Sequence, residues 1–153
     1  DVLTPHSSLL TPHSSPLPHR ILQPPDWQRP RGYANGVSAR GRHVFLAGQI
    51  GWDEHGALVS PDLVPQARQA LRNILTVLAE DGAGAEHVVR LTWFVLDRQQ
   101  YLDASGPLGD AYREVMGRHF PPMSAVEVSG LMEPGAVVEI EATAVVPDEE
   151  SRL

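Results

Sequence analysis

Two carboxylates stand side by side near the end of the chain. In VVEIEATAVV, residues 137–146, Val138, Ile140, Ala142 and Ala144 alternate with Glu139, Glu141 and Thr143, the period-two signature of a strand with one apolar face. Glu139 and Glu141 then lie about 7 Å apart on one face, where like charges repel unless water or a cation intervenes. Two readings follow. An antiparallel strand often keeps one wet face, which would leave both glutamates solvated. Alternatively one of them lines a pocket, and a cation should stand nearby. The other reactive side chains form no constellation: His43, His55, His87 and His119 fall in separate segments, and there is no glycine-rich phosphate loop, nucleophile elbow or histidine pair at metal spacing. Each of these histidines reads as structural or solvated, and no metal or cofactor is expected. In AGQIG, Ala47, Gly48 and Gly51 are small. A glycine inside a strand marks a bulge or the close approach of a ligand, and tight packing on a helix explains it equally well.

The elements that must position these residues can be read from periodicity. HVFLAGQIGW, residues 43–52, is rich in β-formers and ends in the turn-like DEHG, predicting a strand and a turn. From Asp62 the spacing of Leu63, Ala67, Ala70, Leu71, Ile74, Leu75 and Leu78 is helical, with Pro61 and Asp62 as start and Gly82 as stop. HVVRLTWFVLD is apolar on nearly both faces and predicts a central strand, with Trp93, like Trp52, in the core or an interface. A second helix is expected over 107–118, followed by two closing strands in SAVEVSGL and VVEIEATAVV. This order predicts an α+β domain with two helices on one face of a single sheet. No helix remains to cover the other face, so the economical cover is a second subunit.

Length and charge bound the rest. With 153 residues and 42% hydrophobic content, the chain suits one domain. A Pro/Ser/His-rich tail, with TPHSS twice, is expected over residues 1–22, the domain over 23–148 and a short tail over 149–153. A net charge of -7 with scattered arginines argues against nucleic acid as a partner. The absence of cysteine excludes disulfides and thiolate chemistry, and no apolar run reaches the length of a membrane span. The expectation is a soluble, cytoplasmic protein with no membrane partner.

Taken together, FLAGQIG, QARQALRNILTVLAEDGA, HVVRLTWFV, FPPMSAVEVSGL and VVEIEATAV resemble, in order and spacing, the RidA or YjgF-like reactive-intermediate deaminases, across residues 32–146. The resemblance implies a chorismate-mutase-like fold assembled as a homotrimer, with ligand clefts at the subunit boundaries. It also implies hydrolysis of amino-acid enamines and imines to a keto acid and ammonia. Carried over residue by residue, Glu139 takes the place of a catalytic glutamate, Tyr33 in GYANG that of a pocket tyrosine, and Gly48 that of a glycine binding through its backbone. Met123 stands where the family's FPxRS arginine grips the substrate carboxylate. Ala47 replaces a serine, and Ala125 a frequent cysteine. The family's asparagine before the second helix has no clear match in DASGPLGDAY, where Ser105 or Gly109 is on offer. Glu141 is assigned the structural role of the pair.

Losing a bidentate, charge-assisted partner forfeits roughly 1.5–3 kcal/mol per hydrogen bond, and a thioether cannot restore it. The implied protein therefore belongs to an arginine-lacking branch and is not a standard 2-iminopropionate deaminase. Three functions are weighed: hydrolysis of an imine-like, enamine-like or other small neutral substrate with Glu139 as acid/base; a non-catalytic, small-molecule-binding regulatory trimer; and an endoribonuclease or translation inhibitor, which the acidic charge disfavours.

Overall fold

The computed structural model describes residues 19–148. Its longest helix follows directly from the apolar spacing: α1, Leu63–Ala79, buries Leu63, Ala67, Ala70, Leu71, Ile74 and Leu78. Asp62 holds the N-cap position in an extended conformation. At the far end the Ala83 N–H returns to the Leu78 carbonyl at 3.0 Å, across Gly82 at φ 70°, the left-handed turn that glycine tolerates best.

α1 packs on a four-stranded sheet ordered β3-β6-β4-β5, made of β3 (Arg42–Phe45), β4 (Val88–Val95), β5 (Met123–Glu127) and β6 (Val138–Val146). β6 runs antiparallel to β3 and β4, and β5 runs parallel to β4. A parallel pair requires a crossover, here formed by α2 (Arg98–Asp103) and α3 (Ser105–Met116). A separate antiparallel ribbon pairs β1 (His19–Leu22) with β2 (Gly36–Ala39). The core lies between the helices and one sheet face: Val138, Ile140, Ala142 and Ala144 from β6, and Leu91, Trp93 and Val95 from β4, are all buried. β6 thus alternates as its sequence predicts, and β4 is central. Gln66 adds a polar tie, fully buried in α1. Its Nε2 donates to Ser60 O (2.8 Å) and Gly135 O (2.9 Å), and its Oε1 accepts from Val137 N (2.9 Å).

Three expectations are corrected. One helix was expected over 107–118, but the chain turns helical at Arg98, because the Asp97 side chain accepts from Gln100 N at 3.0 Å and caps a short helix. α3 then begins two residues before Pro107, since a proline in the first turn removes only an N–H that has no intrahelical acceptor. The expected strand over 43–52 is cut short. Its pairing with β6 resumes only where Gln49 and Ile140 exchange hydrogen bonds of 2.8 and 2.9 Å, and three residues separate Phe45 from Gln49 against two between Thr143 and Ile140. The extra residue is a β-bulge. Finally, the last four residues of the expected 1–22 tail form β1. The rest of that tail and the segment 149–153 lie outside the described residues.

The sheet face away from the helices carries Phe45, 76% exposed, and Val126, 44% exposed, together with Glu139, Glu141 and Phe94 by alternation. At the sheet edge β5 is exposed over Ser124–Glu127.

Candidate functional site

The six candidate residues separate into two groups on opposite faces of the sheet. Tyr33, Met123 and Ala125 line a cavity of about 410 Å³ on the helix side. Met123 opens β5, opposite Leu91, and Ala125 stands opposite Trp93, so both point toward the helices by alternation. Tyr33 is brought alongside by the Ala34 N–H, which donates to Pro121 O at 3.3 Å. Ser105 and Gly109, the two substitutes for the family asparagine, line the same cavity.

Ala47, Gly48 and Glu139 form the other group. Glu139 lies opposite Phe94 on β4 and is half-buried, whereas Glu141 is exposed. The bulge brings Gly48 under Glu139: a Cβ on Gly48 would overlap the carboxylate. Gly51 has a different task, since a Cβ there would lie 2.5 Å from Gln66 Cα on α1. Both readings of the small residues therefore hold, at different positions. Glu139 does not line the Met123 cavity.

Sequence reasoning missed most of that cavity's wall. Trp93, Tyr101, Tyr112 and Phe120 line it, as do Arg31 and Arg113. Tyr101, Ser105, Leu108 and Tyr112 recur every three to four residues, a helical stripe that could have revealed them, but a helix starting at 107 leaves Tyr101 and Ser105 outside it. Trp93 meets Tyr101 edge-on at 6.1 Å between ring centroids, and Tyr112 stacks on Phe120 at 5.4 Å. The Tyr112 hydroxyl donates to His119 O at 2.5 Å, and burial pushes the Tyr112 and Tyr101 hydroxyls above the usual tyrosine range.

Two features of the wall are chemically unsettled. Trp93 is 4% exposed, and its Nε1 is buried with no hydrogen-bond partner among the described residues. An orphaned buried donor costs about 1–3 kcal/mol unless water or a ligand meets it. The described residues lining the cavity include two arginines and no Asp or Glu. Arg113 is held by Asp110 at 2.8 Å, on the helix surface outside the lining. Arg118 is exposed and does not line the cavity.

Two of the four histidines have backbone partners. His119 Nε2 sits 2.8 Å from Val88 O, and His87 Nδ1 accepts from Gly84 N at 3.0 Å. Among the described residues no group of three or more His, Asp or Glu could hold a metal ion, and no helix is long and apolar enough to cross a membrane.

An α+β sheet backed by helices, with an aromatic cavity at its parallel edge and a bulge-supported glutamate on its other face, defines a recognisable class. The family model described as Endoribonuclease L-PSP matches residues 28–146. A RutC family protein of Synechocystis is 32% identical over 130 residues, 84% of this chain and 97% of that protein. The human 2-iminobutanoate/2-iminopropanoate deaminase is 31% identical over 105 residues, 68% of this chain and 73% of the enzyme. Among solved structures, the Rid family protein YyfB of Yersinia pestis superposes with a TM-score of 0.75 at 30% identity, over 84% of this chain and 99% of that one. The chain belongs to the RidA/YjgF family.

Proposed function

We propose that the protein is a homotrimer binding a small metabolite in clefts at its subunit boundaries, and that the reaction such a cleft supports is hydrolysis of an imine or enamine. The observation that carries this reading is the separation of the site into two incomplete halves. The cavity holding Tyr33, Met123 and Ala125 has walls and cations but no acid or base of carboxylate type. The Gly48–Glu139 pair has a carboxylate and no pocket, on a sheet face with exposed Phe45 and Val126. A neighbouring copy set against that face and the exposed β5 edge would join one subunit's glutamate to another's cavity. In the joined cleft Glu139 takes a proton from the attacking water and returns it to the nitrogen. Transfer of the hydroxyl proton of the resulting carbinolamine to that nitrogen then breaks the C–N bond, which leaves a carbonyl and releases ammonia. Standard 2-iminopropionate deamination is expected to be slow, because Met123 offers no guanidinium.

Met123 and the absence of Asp or Glu among the described lining residues favour one second reading, a trimer that binds its ligand without chemistry. Cleavage of RNA is disfavoured by the net charge of -7. A cytosolic setting is part of the proposal and agrees with a cysteine-free chain. Light scattering at micromolar concentration should give three times the chain mass, and turnover across an imine, enamine and lactam panel should fall at least tenfold in Glu139→Gln. A monomer would defeat the shared cleft. Binding without turnover would select the second reading.

A further inference from the structure

Resting on that cleft reading, we infer that the cavity is built for a 2-oxo or 2-imino acid with an aromatic side chain. The first ground is the wall. Trp93, Tyr101, Tyr112 and Phe120 converge on one space, with two of them edge-on and two stacked, arrangements that leave ring faces and edges for a third aromatic group. Tyr112 is locked by its bond to His119 O, so the wall is organised before a ligand arrives. At position 123 a polarisable thioether replaces a guanidinium, which suits contact with a ring. At about 410 Å³ the space lies within the ~300–1,000 Å³ of typical small-molecule sites, with room for a ring as well as a three-carbon acid.

The second ground is charge. In a chain of net charge -7, the described lining residues carry Arg31 and Arg113 and no carboxylate. Arg113 crosses Gly109 one turn back: a Cβ there would stand 3.3 Å from its Nη1. Asp110 engages Nη2 at 2.8 Å and orients the group without entering the cavity. The cation that Met123 lacks is thus supplied from α3, on the same wall as the rings, and a carboxylate is its natural partner. A ring alone would leave Arg31 unanswered, and a small acid alone would leave the aromatic wall empty.

The test is calorimetric titration of the full-length protein with three probes. Phenylpyruvate carries both features; pyruvate lacks the ring, and phenylacetone the carboxylate. Phenylpyruvate should bind at least tenfold tighter than each of the others. Arg113→Gln, at an exposed position, should weaken phenylpyruvate about tenfold and leave phenylacetone unchanged. Melting temperatures check that the variant folds. If pyruvate or phenylacetone binds as tightly as phenylpyruvate, or Arg113→Gln changes nothing, the aromatic-acid assignment is overturned while the cleft reading stands. If none of the three binds, both fail.

Discussion

Replacing Met123 by arginine should turn the protein toward the small imino acids its relatives handle. Met123 is half-buried at the start of β5, on the wall of the cavity, so a longer guanidinium extends into the space where a substrate carboxylate would sit. Two charge-assisted hydrogen bonds contribute about 3–6 kcal/mol gross. Ordering the long side chain costs about 2 kcal/mol, and repulsion from Arg31 and Arg113 removes roughly 1 kcal/mol more. About 0–3 kcal/mol remains, equivalent to a rise of at most about 150-fold in kcat/KM. The assay generates 2-iminopropionate in place and follows pyruvate and ammonia. Glu139→Gln in the same background should abolish the gain. Because Glu139 lies on the opposite face of its own sheet, the proposed shared cleft makes the rescue depend on the oligomer, and dilution below the dissociation constant should remove it too. Phenylpyruvate should bind the variant more weakly than wild type, since the new side chain fills the ring's space. Rapid turnover of 2-iminopropionate by the unmodified protein would refute the reasoning, and would mean that the arginines of the wall clamp a small substrate that has no ring to anchor it.

Gly48→Ala should act on Glu139 rather than on the fold. Gly48 is not at positive φ, and its new Cβ would collide with the carboxylate, so activity in the Met123→Arg background should fall at least ~10-fold with the melting temperature within a few degrees of its parent. Gln66→Leu should be severe: it orphans Ser60 O, Gly135 O and Val137 N, costing about 3–5 kcal/mol and lowering the melting temperature by roughly 10 °C; a loss below ~1 kcal/mol in urea titration would contradict the assigned role. Stability should also decline in alkali. Burial raises the folded Tyr112 pKa above the unfolded value, so the folded state holds its proton longer. The stabilisation is therefore complete below about pH 10 and shrinks as pH rises further, by at most ~1.4 kcal/mol per unit for one proton. Urea midpoints between pH 8 and 11.5 should show this slope, reduced in Tyr112→Phe.

Much of this protein was legible in the order of its residues, because local periodicity reports burial directly. The alternation of Val138, Ile140, Ala142 and Ala144 against the glutamates, the seven apolar positions of α1 and the doubly apolar β4 each describe an environment that the folded chain supplies. Substitution of the family arginine by Met123 could also be read residue by residue. Other features depend on contacts between distant segments, and local pattern does not encode them. The bulge that seats Glu139 on Gly48 arises from a mismatch between β3 and β6, which is a property of two strands together. α2 escaped notice because its stability comes from the Asp97 cap rather than from a long amphipathic stripe. The aromatic cavity gathers Tyr33, Trp93, Tyr101 and Met123 from four separate segments, and only their packing reveals that Arg113 faces the space Met123 leaves without charge. The opposite placement of Glu139 and Met123 follows from strand register, since side chains alternate between faces and the two residues fall on different ones. Tertiary structure therefore decided that Glu139 and the Met123 cavity lie on opposite faces of one sheet.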